Sequence, residues 1–238
     1  MEAGLPKTCD VIKISAERRL RFSLLSLSLI GFCLFKSPSP IYSSHSNPSA
    51  LAIANLASRG TSIICLGDSL TQGVGASAGH DYPTLLSKEL GVPVLNAGVD
   101  GDETIDALKR LDADVLAKDP RLVIVALGAN DFLNKQPLKK AFENLDEVVR
   151  RIEARGAMVV VVGIPPGYLG DVLQKDYDRI IQKYHVAFIP KVLEGILTNP
   201  RLKSNDNLHP NDEGYALIAK RIRQTVIPLI KQGGTCND

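Results

Sequence analysis

Four consecutive valines, residues 159–162 of "AMVVVVGI", come shortly after nineteen residues of amphipathic pattern at 137–155. β-branched side chains fit a pleated surface better than a helix. A strand that is apolar at every position has no face to offer water. It must be covered on both sides, as in a parallel sheet flanked by helices. The same alternation runs along the chain. "TSIICL" (61–66), "VPVLNA" (92–97), "RLVIVAL" (121–127) and "VAFIP" (186–190) read as further strands. Helical patterns separate them. Residues 83–90 begin with Pro83, which a helix start tolerates. Residues 104–117 space Ile105, Leu108, Leu111 and Val115 three and four apart, and 137–155 do so with Leu138, Phe142, Leu145, Val149 and Ile152. Residues 171–184 and 212–231 complete the set. This pattern predicts an α/β fold, a three-layer α/β/α sandwich on a five-stranded parallel sheet.

Such a sheet binds ligands beyond the carboxyl ends of its strands. The unusual polar clusters sit there. "GDSL" comes after the first strand, "NAGVDGDET" ends the second, "GANDFL" ends the third, and "NDNLHPN" (205–211) precedes the last helix. All four are expected to open on one rim.

The first sixty residues are of a different kind. Lys13, Arg18, Arg19 and Arg21 precede "FSLLSLSLIGFCLF", an uncharged apolar run at 22–35, and a Ser- and Pro-rich stretch comes next. Basic residues, a short apolar core and small residues make a secretory signal. The run of fourteen is short of the ~20 residues of a spanning helix, with an uncleaved anchor as the alternative. The expected organisation is a leader or anchor plus linker at 1–46, a catalytic domain at 60–232 and a polar tail at 233–238. Export to the periplasm or medium is expected, cleavage falling after Ser43 or Ser46. Bulky Phe32 before Cys33 argues against a lipoprotein.

Composition narrows the function classes. At 238 residues and 45% hydrophobic, the chain can bury one sizeable core. Residues 1–43 hold six of the 28 Lys/Arg and three of the 26 Asp/Glu, which leaves 22 against 23 and a charge near −1. The basic balance therefore belongs to the leader, and no nucleic-acid partner is expected. Cys9, Cys33, Cys65 and Cys236 are scattered, with no metal-ligand spacing, so neither a zinc site nor a disulfide framework is expected.

Ester cleavage by serine needs a free hydroxyl, a base, a group that orients the base, and donors for the oxyanion. Ser69 is the hydroxyl candidate, and it is equally a candidate helix cap. Of the four histidines, His45 is in the linker, His80 precedes the first long helix and His185 opens the last strand. His209 differs, because Asp206 lies three residues before it and Pro210 stiffens the loop at the start of the last helix. Asp206 and His209 can turn to one side of a compact loop, or "DNLHPND" can be a helix cap. Asn130 can donate without titrating, or be a turn residue. Gly98 and Gly101 can each offer an unobstructed backbone N–H, or simply make turns.

"GDSLTQG", "NAGVDGDET", "GAND" and "DNLHP", in this order and spacing, resemble the blocks of the SGNH (GDSL) hydrolase family, nearest to its bacterial exported acyl-thioesterase, lysophospholipase and arylesterase group. The likeness spans roughly residues 61–230. It implies a flavodoxin-like sheet and acyl hydrolysis with no metal or other cofactor. It implies Ser69 as nucleophile, His209 as general base, Asp206 as the residue orienting it, and an oxyanion hole of the Ser69 N–H, the Gly101 N–H and the Asn130 amide, with Gly98 as second choice for the glycine. The expected partner is a small acyl ester or lipid, met by a monomer whose only membrane contact is its N-terminal segment or a lipid substrate. "DFLNKQ" (131–136) and "PPGYLGD" (165–171) are expected to set acyl preference. Rival readings are a carbohydrate or peptidoglycan O-acetylesterase, an acyltransferase, and a non-catalytic lipid- or nucleotide-binding module. "GDSLTQGVG" lacks both nucleotide-binding glycine signatures, and neither would explain Asp206 and His209.

Overall fold

The apolar runs divide residue by residue between two faces of one sheet. In a computed structural model, which describes residues 52–164 and 170–233, β1 (Ser62–Gly67), β2 (Val94–Gly98), β3 (Pro120–Ala126), β4 (Met158–Val162) and β5 (Ala187–Ile189) are all parallel, in the order β2-β1-β3-β4-β5. Ile63, Cys65, Leu122, Ile124, Met158 and Val160 point to one face, where α2 (Tyr82–Leu90) and α7 (Asp212–Gly233) cover them. Ile64, Leu66, Val123, Val125, Val159 and Val161 point to the other. There α3 (Thr104–Asp114), α5 (Leu138–Ala154) and α6 (Gly170–Tyr184) pack on them. The valine run is buried along its whole length, as a doubly covered strand requires. Cys65 is buried and free.

Two short helices complete the rim, α1 (Ser69–Gln72) after β1 and α4 (Ala129–Leu133) after β3. The "GANDFL" stretch, where Asn130 also reads as a turn residue, is thus partly helical. Five residues are too few to show a hydrophobic period, and Gly128, at φ 108°, starts the helix without a capping side chain. The second predicted helix, expected over 104–117, stops early, at Asp114, and passes through a 3₁₀ turn at Leu116–Lys118. The expected leader and linker at 1–46, residues 165–169 of "PPGYLGD" and residues 234–238 lie outside the described residues.

The strand order reverses direction between β1 and β3, where ligands of doubly wound sheets bind. β1, β2 and β3 end there in Gly67, Gly98 and Ala126, which brings "GDSL", "NAGVDGDET" and "GAND" to one rim.

Candidate active site

β1 delivers Asp68 and Ser69 to the rim at a sharp strand-to-helix turn. Asp68 is the helix cap. Its Oδ1 accepts the Leu70 N–H at 3.0 Å, and Gly73 closes the helix at φ 96°. Ser69 is therefore the first residue of α1, where the backbone N–H has no acceptor within the helix. Its side chain takes another path: Oγ lies 2.9 Å from His209 Nε2.

The loop that carries His209 is built to hold that ring. Lys203 and Pro210 bridge across its base, and the Ser204 N–H donates to the His209 carbonyl at 2.9 Å. Within it, Asp206 Oδ1 accepts from Ser204 Oγ at 2.6 Å, the Leu208 N–H at 2.8 Å and the His209 N–H at 2.9 Å. Asp206 Oδ2 lies 2.7 Å from His209 Nδ1. The Ser204 hydroxyl, the His209 N–H, the imidazole and the Leu208 N–H hold the Asp206 carboxyl well below the usual carboxylate range. An ionised carboxylate only accepts, so Nδ1 carries the proton and Nε2 presents its lone pair to the serine hydroxyl. The alternative role for this stretch, capping the last helix, falls to Asn211, whose Oδ1 accepts the Gly214 N–H at 3.1 Å. Tyr215 then ties α7 back to the segment after α1, its hydroxyl donating to the Val74 carbonyl at 2.8 Å.

Asn130 and the two glycines sit on the neighbouring loops. Asn130 Nδ2 donates to the Asp102 carbonyl at 2.9 Å, which uses one of its two hydrogens and fixes the amide plane. Gly101 adopts φ 79°, a conformation that favours glycine. No acceptor among the described residues takes its N–H. The Gly98 N–H, in contrast, is engaged by Asn96 Oδ1 at 2.9 Å, and a Cβ there would meet the Gln72 nitrogen at 2.1 Å. Gly98 is thus held by close packing against α1, and its N–H is already spent.

Several residues around this arrangement are not among the site residues read from the sequence. Ser204 supplies the largest influence on Asp206 yet reads as an ordinary loop serine. Asp68 is 1% exposed, its Oδ2 has no hydrogen-bond partner among the described residues, and burial pushes its carboxyl up to about 6. The buried Asp131 accepts from the Thr104 N–H at 2.9 Å and from Thr104 Oγ1 at 2.6 Å. His80 lies apart from this group, hydrogen-bonded to Ser77 Oγ at 2.9 Å beside Asp212. Next to α4 an apolar recess is lined by Leu127, Phe132, Leu138, Phe142, Ile164 and Tyr177. Among the described residues, no three His, Cys, Asp or Glu are grouped to hold a metal ion.

The chain is similar to known proteins in sequence and fold. The model of the GDSL-like Lipase/Acylhydrolase family matches residues 65–217. The chain is 32% identical to an arylesterase of Vibrio mimicus, over 69% of this chain and 88% of that one. It is 27% identical to thioesterase 1/protease 1/lysophospholipase L1 of Escherichia coli (strain K12), over 71% and 84% respectively. The crystal structure of TesA superposes with a TM-score of 0.66 at 27% identity, covering 71% of this chain and 99% of that one.

Proposed function

Since this chain belongs to the GDSL-like lipase/acylhydrolase family and is a carboxylic ester hydrolase, we propose that it cleaves acyl esters through an acyl-enzyme on Ser69. The observation that carries the reading is the unbroken line from Ser69 Oγ to His209 Nε2 at 2.9 Å and from His209 Nδ1 to Asp206 at 2.7 Å. Ser69 attacks the ester carbonyl while Nε2 takes its proton. Asp206 keeps Nδ1 protonated and stabilises the imidazolium that forms. The developing oxyanion accepts from the Ser69 N–H, the Gly101 N–H and the second hydrogen of the Asn130 amide. His209 returns the proton to the leaving alcohol, then activates the water that releases the acid.

The substrates are small acyl esters of lipid or aryl type, lysophospholipids and acyl thioesters among them. The apolar side chains of Phe132, Leu133 and Leu138 around the end of Asn130's helix support an acyl group on that side. The enzyme acts as a monomer and is exported, the export reading being supported by the basic and apolar run at 13–35. Among the described residues no helix is long and apolar enough to cross a membrane.

The test is hydrolysis of p-nitrophenyl esters from acetate to palmitate by the purified protein, with Ser69→Ala as control and fluorophosphonate labelling alongside. Turnover and labelling that both vanish in the variant are the expected outcome, and the preferred chain length reports the acyl site. A folded protein that labels but hydrolyses no simple ester would move the assignment to a sugar O-acetylesterase or an acyltransferase. One that neither labels nor hydrolyses would be a binding module.

A further inference from the structure

We propose that Arg110 is a positioning residue for the oxyanion site, holding the Asn130 amide in place through Asp102; this rests on the reading of Asn130 as an oxyanion donor. All three donors lie outside the sheet, Ser69 at the start of α1, Gly101 in the loop after β2 and Asn130 on the five-residue α4, so the sheet alone does not fix their spacing. Arg110, on α3, spreads its guanidinium over acceptors from three segments. Nε donates to Asp102 Oδ2 at 2.7 Å, Nη2 to the Gly67 carbonyl at 3.0 Å, and Nη1 to Asp114 Oδ2 at 2.9 Å. Gly67 is two residues before Ser69, and its carbonyl also accepts the Val99 N–H at 3.1 Å. Asp102 adjoins Gly101, and its own carbonyl is the acceptor for Asn130 Nδ2. Two residues on, Thr104 grips Asp131, the neighbour of Asn130, and Asn144 steadies the Thr104 hydroxyl at 3.1 Å. One cation thus joins the nucleophile's strand to the loop of the second donor and, through a single carbonyl, to the third.

The charge chemistry fits positioning better than stabilisation. The Arg110 and Asp102 side chains are only 17% and 10% exposed. An ion pair so enclosed gives back in desolvation much of what it gains in attraction, and removing one partner strands the other. What a planar fork supplies is direction, because three acceptors at fixed angles admit one placement of the loop. A donor displaced by about 1 Å can forfeit on the order of 10²-fold in rate.

The experiment compares kcat, KM and thermal midpoint for the full-length wild type, Arg110→Gln, Arg110→Lys, Asp102→Asn, Asn130→Ala and the Arg110→Gln/Asn130→Ala double variant. Arg110→Gln is expected to lower kcat about 10- to 100-fold with KM within about threefold, because ground-state binding does not use the donors fully. Arg110→Lys, which keeps the charge and loses the fork, falls between it and wild type. In the Asn130→Ala background the same Arg110→Gln change is expected to cost less than about threefold, because the residue it positions is gone. Losses that simply multiply would overturn the proposal, as would wild-type kcat in both Arg110 variants. Should Arg110→Gln not fold, Arg110→Lys and Asp102→Asn carry the same cycle. Wild-type activity in Asn130→Ala would remove the oxyanion reading beneath it, an outcome distinct from an Arg110 that proves inert beside a crippled Asn130→Ala.

Discussion

Two aspartates flank the Ser69–His209 pair, and their surroundings are opposite. Asp68, next to Ser69, is 1% exposed, with one oxygen on the Leu70 N–H and the other without a partner among the described residues. Asp206, beside His209, has a side chain 43% exposed and receives two backbone N–H groups, a hydroxyl and the imidazole. Burial with few donors favours a neutral acid, and the Asp68 carboxyl is pushed up to about 6. Donors without burial favour the anion, and the Asp206 carboxyl is held well below its usual range. Closeness to Ser69 in sequence is therefore a poor guide to which carboxylate meets the histidine. The better guide is how many donors converge on it. Asp206 orients a ring, whereas Asp68 shapes the turn that exposes a hydroxyl.

The largest effects belong to the pair itself. Ser69→Ala and His209→Ala are expected to lower kcat by roughly 10⁴ or more with the thermal midpoint little changed. Steady-state kinetics on either purified variant checks this, and a wild-type rate would strike that residue from the mechanism. The aspartates then separate. Asp206→Asn offers the imidazole an amide able to hold the wrong tautomer and is expected to cost roughly 10³ to 10⁴ in kcat. Asp68→Asn keeps an oxygen for the Leu70 N–H, so its loss should stay within about tenfold, since the cap survives. Equal losses at the two positions would erase the distinction drawn between them. Between these extremes, Asn130→Ala is expected to cost about 10² to 10³ through the lost amide donor. A change confined to KM would mean that Asn130 binds substrate and does nothing special for the transition state.

Much of the scaffold was legible because long patterns average over many residues. The valine run of β4 and the period of α5 each point to one structure, and the five predicted strands and five longer helices all form, within a few residues at their ends. α4 was not legible: it spans little more than one turn and has no side-chain cap, so its form depends on the Thr104–Asp131 contacts made from another segment. Around the site, the spacing of Asp206 and His209 allowed a local hydrogen bond to be foreseen, since three residues of a pinched loop suffice to make it. The approach of His209 to Ser69, across 140 positions of chain, is instead a product of the sheet order. Arg110 carried no signal at all. Four residues before Asp114, it reads as half of a routine surface pair on a helix, and only the folded chain shows the same guanidinium on Asp102 and the Gly67 carbonyl.

The smallest effect is the most direct reading of the buried aspartate, because it appears in stability as a function of pH. A carboxyl whose folded pKa is raised binds its proton more tightly when folded. Its contribution to stability is complete below the ordinary value near 4 and is lost as pH rises through about 6. Asp206 has the opposite sign: its contribution is present above the ordinary value and is lost only as pH falls through its depressed folded value. Between pH 4.5 and 8, therefore, Asp68 should drain stability from the wild type while Asp206 leaves that window nearly level. A shift of about two pKa units corresponds to a loss on the order of 2 to 3 kcal/mol across it. Asp68→Asn cannot ionise, so its unfolding free energy relative to wild type should climb by about that amount over the window. Substituting an amide adds an offset of its own, since the new N–H₂ group faces the place where Oδ2 lacked a partner, but that offset does not depend on pH. Urea unfolding of both proteins at pH 4.5, 6 and 8 isolates the slope. A flat difference would mean that the Asp68 carboxylate is ionised at little cost, and the contrast between the two aspartates would then reduce to one of exposure alone.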